Sequence, residues 1–421
     1  MTRLVVVVAC LSIAACGSKK RQTRTTDAAP VEPITAPPPS DASGAPKGTS
    51  DEVEPNDTED TAMELAVGAS IHGRIDPIES DVDAFRIEVS GAGVLSLEVG
   101  GVQHTDLTLE LHDPSGVVAA KSDRGLANVK EAIPNFAVTK GRYTAMVRGK
   151  KLLVRGKPVK PTPPILPYDI TATLVKPPAN AEKEPNDDRG TANDLIVGDP
   201  VTGYAGWTGD ADSWKLALEA LSAKNTIDVE LGAVDGVALT LEVADAVGKP
   251  LVVRKGARGA ALNARGILPD LPTGAPPFYY LTVKGTPSNP ETAYALRVML
   301  KTLEGNDAEV EPNDSVEKPM PIPADRTRVD AQWSPGDIDH FAIAPDGDKR
   351  TLEITVESPA EADLSAELIV DGKAIAKSET KGKGVAEKLK GEVPANARAI
   401  IRVWGSDAGA EGTYEVKFGE K

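Results

Sequence analysis

Glu52-Val53-Glu54-Pro55-Asn56-Asp57, Glu182-Lys183-Glu184-Pro185-Asn186-Asp187 and Glu309-Val310-Glu311-Pro312-Asn313-Asp314 spell E-x-E-P-N-D three times along one chain, with starts 130 and 127 residues apart. Each copy is followed by an acidic pair just ahead of an aromatic: Asp81-Val82-Asp83-Ala84-Phe85, Asp210-Ala211-Asp212-Ser213-Trp214 and Asp337-Ile338-Asp339-His340-Phe341. From the second glutamate of the motif to the last aspartate of the pair the gaps are 29, 28 and 28 residues. A spacing held three times marks a tandem array. Each unit opens on a cluster of hard oxygen ligands.

The 421 residues match three domains of ordinary size, each large enough to bury a core without disulfides. A net charge of −16 and a pI near 4.9 exclude a nucleic-acid partner, whose phosphates such a surface repels. Aromatics make up only 4% of the chain, so stacking platforms for sugars or bases are few.

Both cysteines, Cys10 and Cys16, fall in the first 16 residues, so no disulfide staples the body. Arg3 precedes the apolar run Leu4 to Ala15, too short to span a bilayer and laid out as a secretory leader over residues 1–15. Its ending, Ile13-Ala14-Ala15-Cys16, resembles the lipobox of bacterial lipoproteins. That resemblance implies cleavage before Cys16, lipidation of its thiol and permanent anchoring to a membrane of the cell envelope. Gly17 after the cysteine favours the outer membrane over the inner. The other reading is an ordinary leader with an incidental cysteine. Residues 16–50 are rich in Pro, Thr and Ala and predict a disordered tether, reaching about 30 Å as a coil and about 100 Å when extended.

Beyond the tether, short segments of alternating apolar residues are bounded by Gly, Pro, Asp and Asn, which predicts strands. They fall at 84–89, 94–99, 107–111, 143–147 and 170–174 in the first unit, and at 214–218, 226–231, 239–243, 279–283 and 294–299 in the second. The third unit gives 341–343, 352–356, 364–370, 399–404 and 414–418. The only helical pattern is a short stretch at 61–65, echoed at 191–195. Turn glycines Gly116, Gly248 and Gly372 recur in register, as do Ile133-Pro134, Leu268-Pro269 and Val393-Pro394. The class is all-β, as antiparallel sandwiches. Boundaries are expected near Pro177-Pro178 and near 304–306, with close stacking of the units.

With these marks in hand, the segments 51–177, 178–303 and 304–421 each resemble the bacterial pre-peptidase C-terminal domain, a relative of the collagen-binding domains of clostridial collagenases. The resemblance implies three tandem jelly-roll-like β-sandwiches, a non-catalytic role and calcium bound by the opening stretch and the aspartate before the aromatic strand. Carried over by position, it proposes Glu52, Glu54, Asn56, Asp57 and Asp83 in the first unit. It proposes Glu182, Glu184, Asn186, Asp187 and Asp212 in the second, and Glu309, Glu311, Asn313, Asp314 and Asp339 in the third. The family's partner aspartate lies three positions before the last one, where this chain has Ser80, Gly209 and Gly336. Asp81, Asp210 and Asp337 are the looser matches.

The residues argue for calcium on their own account as well. In an extended segment positions i and i+2 face one way, so Glu52 and Glu54 converge. Pro55 bars a helix there. Calcium accepts six to eight such oxygens in flexible geometry, where magnesium demands a tighter octahedron. The competing reading is that Asn-Asp caps a turn and the glutamates are solvated.

Phe85, Trp214 and Phe341 occupy equivalent strand positions and predict core packing. Trp207 and Trp333 sit in loops ahead of the acidic pair, as ligand-binding candidates for sugar or peptide or else as loop packing. The basic insertion of Lys150, Lys151, Arg155, Lys157 and Lys160 is either a solvated hairpin or a contact for an acidic polymer. His72, His104, His112 and His340 show no metal-ligand spacing, and no nucleophile elbow is present. The expectation is no enzyme. It is a lipid-anchored binding or scaffolding protein with an envelope polysaccharide or protein as partner; the alternative is an accessory or chaperone-like partner of a secreted peptidase.

Overall fold

The computed structural model describes residues 49–125, 127–150, 153–154, 157–158, 166–218, 225–269, 278–302, 308–406 and 411–420. The leader, Cys16 and nearly all of the tether lie outside the described residues. So do the boundary at 304–306 and most of the basic insertion.

Strands dominate, and they group into three sandwiches. In the first, one sheet runs in the order Thr49–Asp51, Ser70–Gly73, Tyr168–Val175, Gly93–Val99, Glu131–Val138. The facing sheet runs Met63–Glu64, Val82–Val89, Gly141–Lys150, Asp106–His112, Val118–Ser122. The second sandwich has Asn193–Leu195, Asp212–Ala217, Phe278–Thr286, Ala238–Ala244, Pro250–Arg258 against Val201–Ala205, Asn289–Thr302, Asn225–Leu231, Leu262–Ile267. The third has Met320–Ile322, Ile338–Ile343, Ala399–Gly405, Leu364–Val370, Lys373–Ser378 against Arg328–Trp333, Gly412–Glu420, Arg350–Glu357, Glu387–Val393.

Side-chain alternation drives this arrangement. Along Leu364–Val370 every second residue is buried, which aims one face of the strand inward and leaves the other half-wet. Each sandwich closes on its own apolar cluster. Phe85, Leu95, Leu109 and Ile170 meet in the first, Trp214, Val229, Leu241 and Leu296 in the second, and Phe341, Ile354, Leu368 and Val416 in the third. The three equivalent aromatics are core residues, as the strand pattern predicts.

The stretches with a helical pattern are extended instead. After a single reversal, closed by Thr61 N–H on the Thr58 carbonyl at 3.1 Å and by Thr191 N–H on the Asp188 carbonyl at 3.2 Å, the chain enters a short edge strand. Met63–Glu64, Asn193–Leu195 and Met320–Ile322 each lie parallel to the strand carrying the core aromatic. The segment is too short to repay helix nucleation, whereas the neighbouring strand offers backbone partners at once and lets Leu65 and Leu195 enter the core.

The sandwiches are joined through the motif itself. Glu184 N–H donates to the Asn135 carbonyl at 3.0 Å, and Ala137 N–H donates to the Glu184 carbonyl at 2.7 Å. Likewise Glu311 N–H donates to the Gly266 carbonyl at 3.0 Å, and Leu268 N–H donates to the Glu311 carbonyl at 2.8 Å. Asn135 (φ 54°) and Gly266 (φ 65°) are left-handed, and the register of their strands slips beside them. Both strands are sheet edges, whose outward amides and carbonyls are unpaired; the bulge bends the edge, and the next sandwich takes up one carbonyl and one amide there. In the third sandwich the corresponding pairing of Arg350–Glu357 with Glu387–Val393 runs unbroken.

Neither Trp207 nor Trp333 is a platform for a ligand, which corrects that expectation. Trp207 is 9% exposed and joins the core of the first sandwich from a loop of the second. Trp333 is fully buried in the third core, where a Cβ on the neighbouring Gly405 would overlap its indole. Apolar rings of this size gain more from burial than from display.

Candidate metal centre

The opening motif folds the same way in all three sandwiches. The first glutamate is strapped down twice. Its N–H donates to His72, Thr202 or Asp330, and its carboxylate accepts the N–H of Arg74 at 2.6 Å, Tyr204 at 2.8 Å or Gln332 at 2.9 Å. The second glutamate accepts the N–H of the asparagine, at 2.8 Å for Asn56 and Asn186 and 2.7 Å for Asn313. Each Glu-Pro bond is cis. The asparagine is fully buried, and its carbonyl accepts the N–H of Ala84, Ser213 or His340, tying the motif to the aromatic strand.

This path brings the carboxylates together. Glu52, Glu54 and Asp83 can place one oxygen each within 4.8 Å of the others, and so can Glu182, Glu184 and Asp212. A second grouping joins Glu54, Asp57 and Asp81 in the first sandwich, and Glu311, Asp314 and Asp337 in the third. The looser-matching Asp81 and Asp337 thus do reach the motif. Among the described residues Asp187 enters no such group; its carboxylate accepts Ala211 N–H at 3.2 Å. Nor do Glu309 and Asp339 complete one among the described residues; Glu309 accepts the side-chain N–H of Asn313 at 2.8 Å.

The second sandwich holds the most enclosed cluster. Glu182, Glu184 and Asp212 are each 1% exposed. Among the described residues, Glu182 Oε2, Glu184 Oε1, Asp212 Oδ1 and the side-chain oxygen of buried Asn186 have no hydrogen-bond donor. Orphaned oxygens in a dry interior are costly, and the three carboxylates each bring an oxygen within 4.8 Å of the others. Either protons or a cation must lie between them. Burial, then mutual repulsion, drives these acids upward: Glu184 is pushed up to about 8, and Glu182 and Asp212 rise well above the ordinary carboxylate range. In the first sandwich burial pushes Asp83 up to about 9 despite the hydroxyl of Tyr168. The all-oxygen, carboxylate-rich donor set fits calcium better than a transition metal.

Three tyrosines support these clusters and were not among the candidate site residues. Tyr168 donates to Asp83 and Tyr414 to Asp339, while Tyr294 bonds Asp212. Each stands on the closing strand, opposite Gly73, Ala331 or Gly203. A Cβ on Gly203 would overlap both the Glu182 carboxylate and the Tyr294 hydroxyl. Tyr168, Tyr294 and Tyr414 recur at one place in the three units, a mark of the repeat that carries no information about its target.

No protein-family profile matches the chain, and no curated protein does. Among solved structures, a pre-peptidase C-terminal domain of collagenase from Bacillus anthracis is 15% identical, covers 29% of this chain and 100% of its own, and has a TM-score of 0.21. A BSP domain of a biofilm-associated protein is 10% identical over 76% of this chain and 58% of its own, with a TM-score of 0.13. Among the described residues no helix is long and apolar enough to cross a membrane.

Proposed function

We propose that the chain is a lipid-anchored, non-catalytic binding or scaffolding protein of the cell envelope, built of calcium-stabilised β-sandwiches. One observation carries the reading. Glu184 is shared between two tasks, its backbone pairing with Asn135 and Ala137 of the first sandwich while its carboxylate lines the buried cluster of the second. Glu182, Glu184 and Asp212 would hold the ion. Calcium bound there supplies the charge that lets three buried carboxylates ionise together. The segment that aligns the neighbouring sandwich is then rigid, which suits a scaffold that holds a partner. Cys16 and the tether supply the anchor and the reach.

Thermal melts of the full chain in calcium, magnesium and chelator test this. The midpoint should be highest in calcium, with a smaller gain in magnesium. Identical midpoints in all three would return the motif to the status of a structural turn.

A further inference from the structure

Arg254 stands at the same offset from the turn glycine Gly248 as Ser122 from Gly116 and Ser378 from Gly372. In the first sandwich Ser122 donates to buried Glu131 at 2.6 Å, and in the third Ser378 donates to buried Glu387. These glutamates open the strands paired to Val99 and Val356; the residue paired to Leu231 in the corresponding place of the second sandwich is Leu262. The second sandwich thus lacks both members of the internal pair. Its arginine turns outward into the third.

There Arg254 is 2% exposed. Its Nη2 lies 2.5 Å from Glu311 Oε1 and 2.9 Å from Asp337 Oδ1, and its Nη1 lies 3.7 Å from Asp314 Oδ1 and 3.3 Å from the carbonyl of its own neighbour Val253. These three carboxylates are the counterparts of Glu54, Asp57 and Asp81, which in the first sandwich form an exposed cluster. The equivalent acids of the second, Glu184, Asp187 and Asp210, do not close into a group. One arrangement of three acids therefore exists twice, once open and once filled by a guanidinium from the neighbouring sandwich.

We infer that Arg254 is a tethered counter-cation: it takes the place of a second metal ion in the third sandwich and fastens that sandwich to the second without metal. A guanidinium suits the task because it cannot be deprotonated and forks toward several carboxylate oxygens. Breaking such a buried pair leaves its acids uncompensated. The two junctions then differ in kind, with the apolar wedge of Trp207 at the first and a charge lock at the second. The stand-in part of this inference rests on the calcium reading above; the lock does not.

The test measures bound calcium by equilibrium dialysis and melting in chelator, on the full chain. Arg254→Ala should lower the chelator midpoint by about 5 °C or more. Calcium should restore it with one more ion bound than in the parent, since Arg254 lines a cavity of about 220 Å³ that its truncation enlarges. Adding Asp337→Asn should remove the extra ion. A chelator midpoint equal to the parent's overturns the lock, and an unchanged ion count in a calcium-binding chain overturns the stand-in. If Arg254→Ala does not fold, Asp337→Asn alone decides: it should soften the chelator melt and leave the parent's ion count unaltered, whereas one ion fewer would mean that metal already sits there. A parent that binds no calcium sinks the preceding reading and leaves the lock to be judged on the chelator melts.

Discussion

The indole N–H of Trp214 donates to the hydroxyl of Tyr294 at 3.0 Å. Because that oxygen is engaged as acceptor, its own proton is directed at Asp212, so the core of the second sandwich reaches into the acidic cluster through one hydroxyl. Phe85 and Phe341 hold the place of Trp214 elsewhere and cannot do this. Tyr294→Phe should cost about 1–3 kcal/mol in chelator by stranding a buried carboxylate and an indole N–H. Urea unfolding of parent and variant measures it, and a loss confined to a few tenths would remove Tyr294 from the support of the site.

Asp212→Ala should abolish most of the calcium-dependent gain contributed by the second sandwich. An ion bound only by the folded state stabilises by about 2.7 kcal/mol at a hundredfold excess over Kd. Asp210→Ala should remove less, because Asp210 lies outside the closed group and its carboxylate accepts Gly206 N–H. Differential scanning calorimetry of the two variants with and without calcium ranks them; the reverse ranking would move the site.

Without metal, stability should fall as pH rises. Burial pushes Glu184 up to about 8 from 4.5, and Asp210 up to about 7 from 3.8. The folded chain therefore holds protons that the unfolded chain has already lost, and unfolding is favoured as pH climbs through this window. The contribution is complete near pH 4 and gone above about 8. Saturating calcium should flatten or reverse the trend, since the ion replaces the protons. Melts in chelator across this range whose midpoint climbs toward pH 8 would contradict the assignment.

Trp207→Ala should loosen the first junction by about 3 kcal/mol, the cost of emptying a large buried aromatic site. Limited proteolysis should then cut between the first two sandwiches sooner than in the parent. Unchanged cleavage would mean that the backbone clamp at Asn135, with the Arg124–Glu291 ion pair at 3.4 Å, carries the junction without the indole.

Cys16→Ser should release the protein from membranes without altering the melting of its folded body. Sedimentation of the variant with membranes after a high-salt wash would contradict the lipid anchor.

Much of this architecture is legible in the sequence because it repeats. A motif at fixed distance from an aspartate pair is enough to bring Glu52, Glu54 and Asp83 together. The strand alternation sets Phe85, Trp214 and Phe341 in the cores, since a period of two admits one buried face. The short edge strands read as helical because Thr-Ala stretches carry little preference of their own and yield to a waiting neighbour. Trp207 and Arg254 are illegible for another reason. Their partners lie in adjacent sandwiches, and no pattern within one unit records what the next will press against it.

The unbroken strand at Glu387–Val393 bears on how copies of this chain can associate. Each earlier sandwich receives its successor through a bulge, at Asn135 or Gly266, whereas Gly391 sits in regular pairing opposite Leu352. As the edge of its sheet this strand still turns alternate amides and carbonyls outward, but it lacks the bend that a bulge gives to the edges where Glu184 and Glu311 dock. A second molecule that used its Glu54 segment in the same way would have to seat it on a straight rim, for which the joint within one chain offers no precedent.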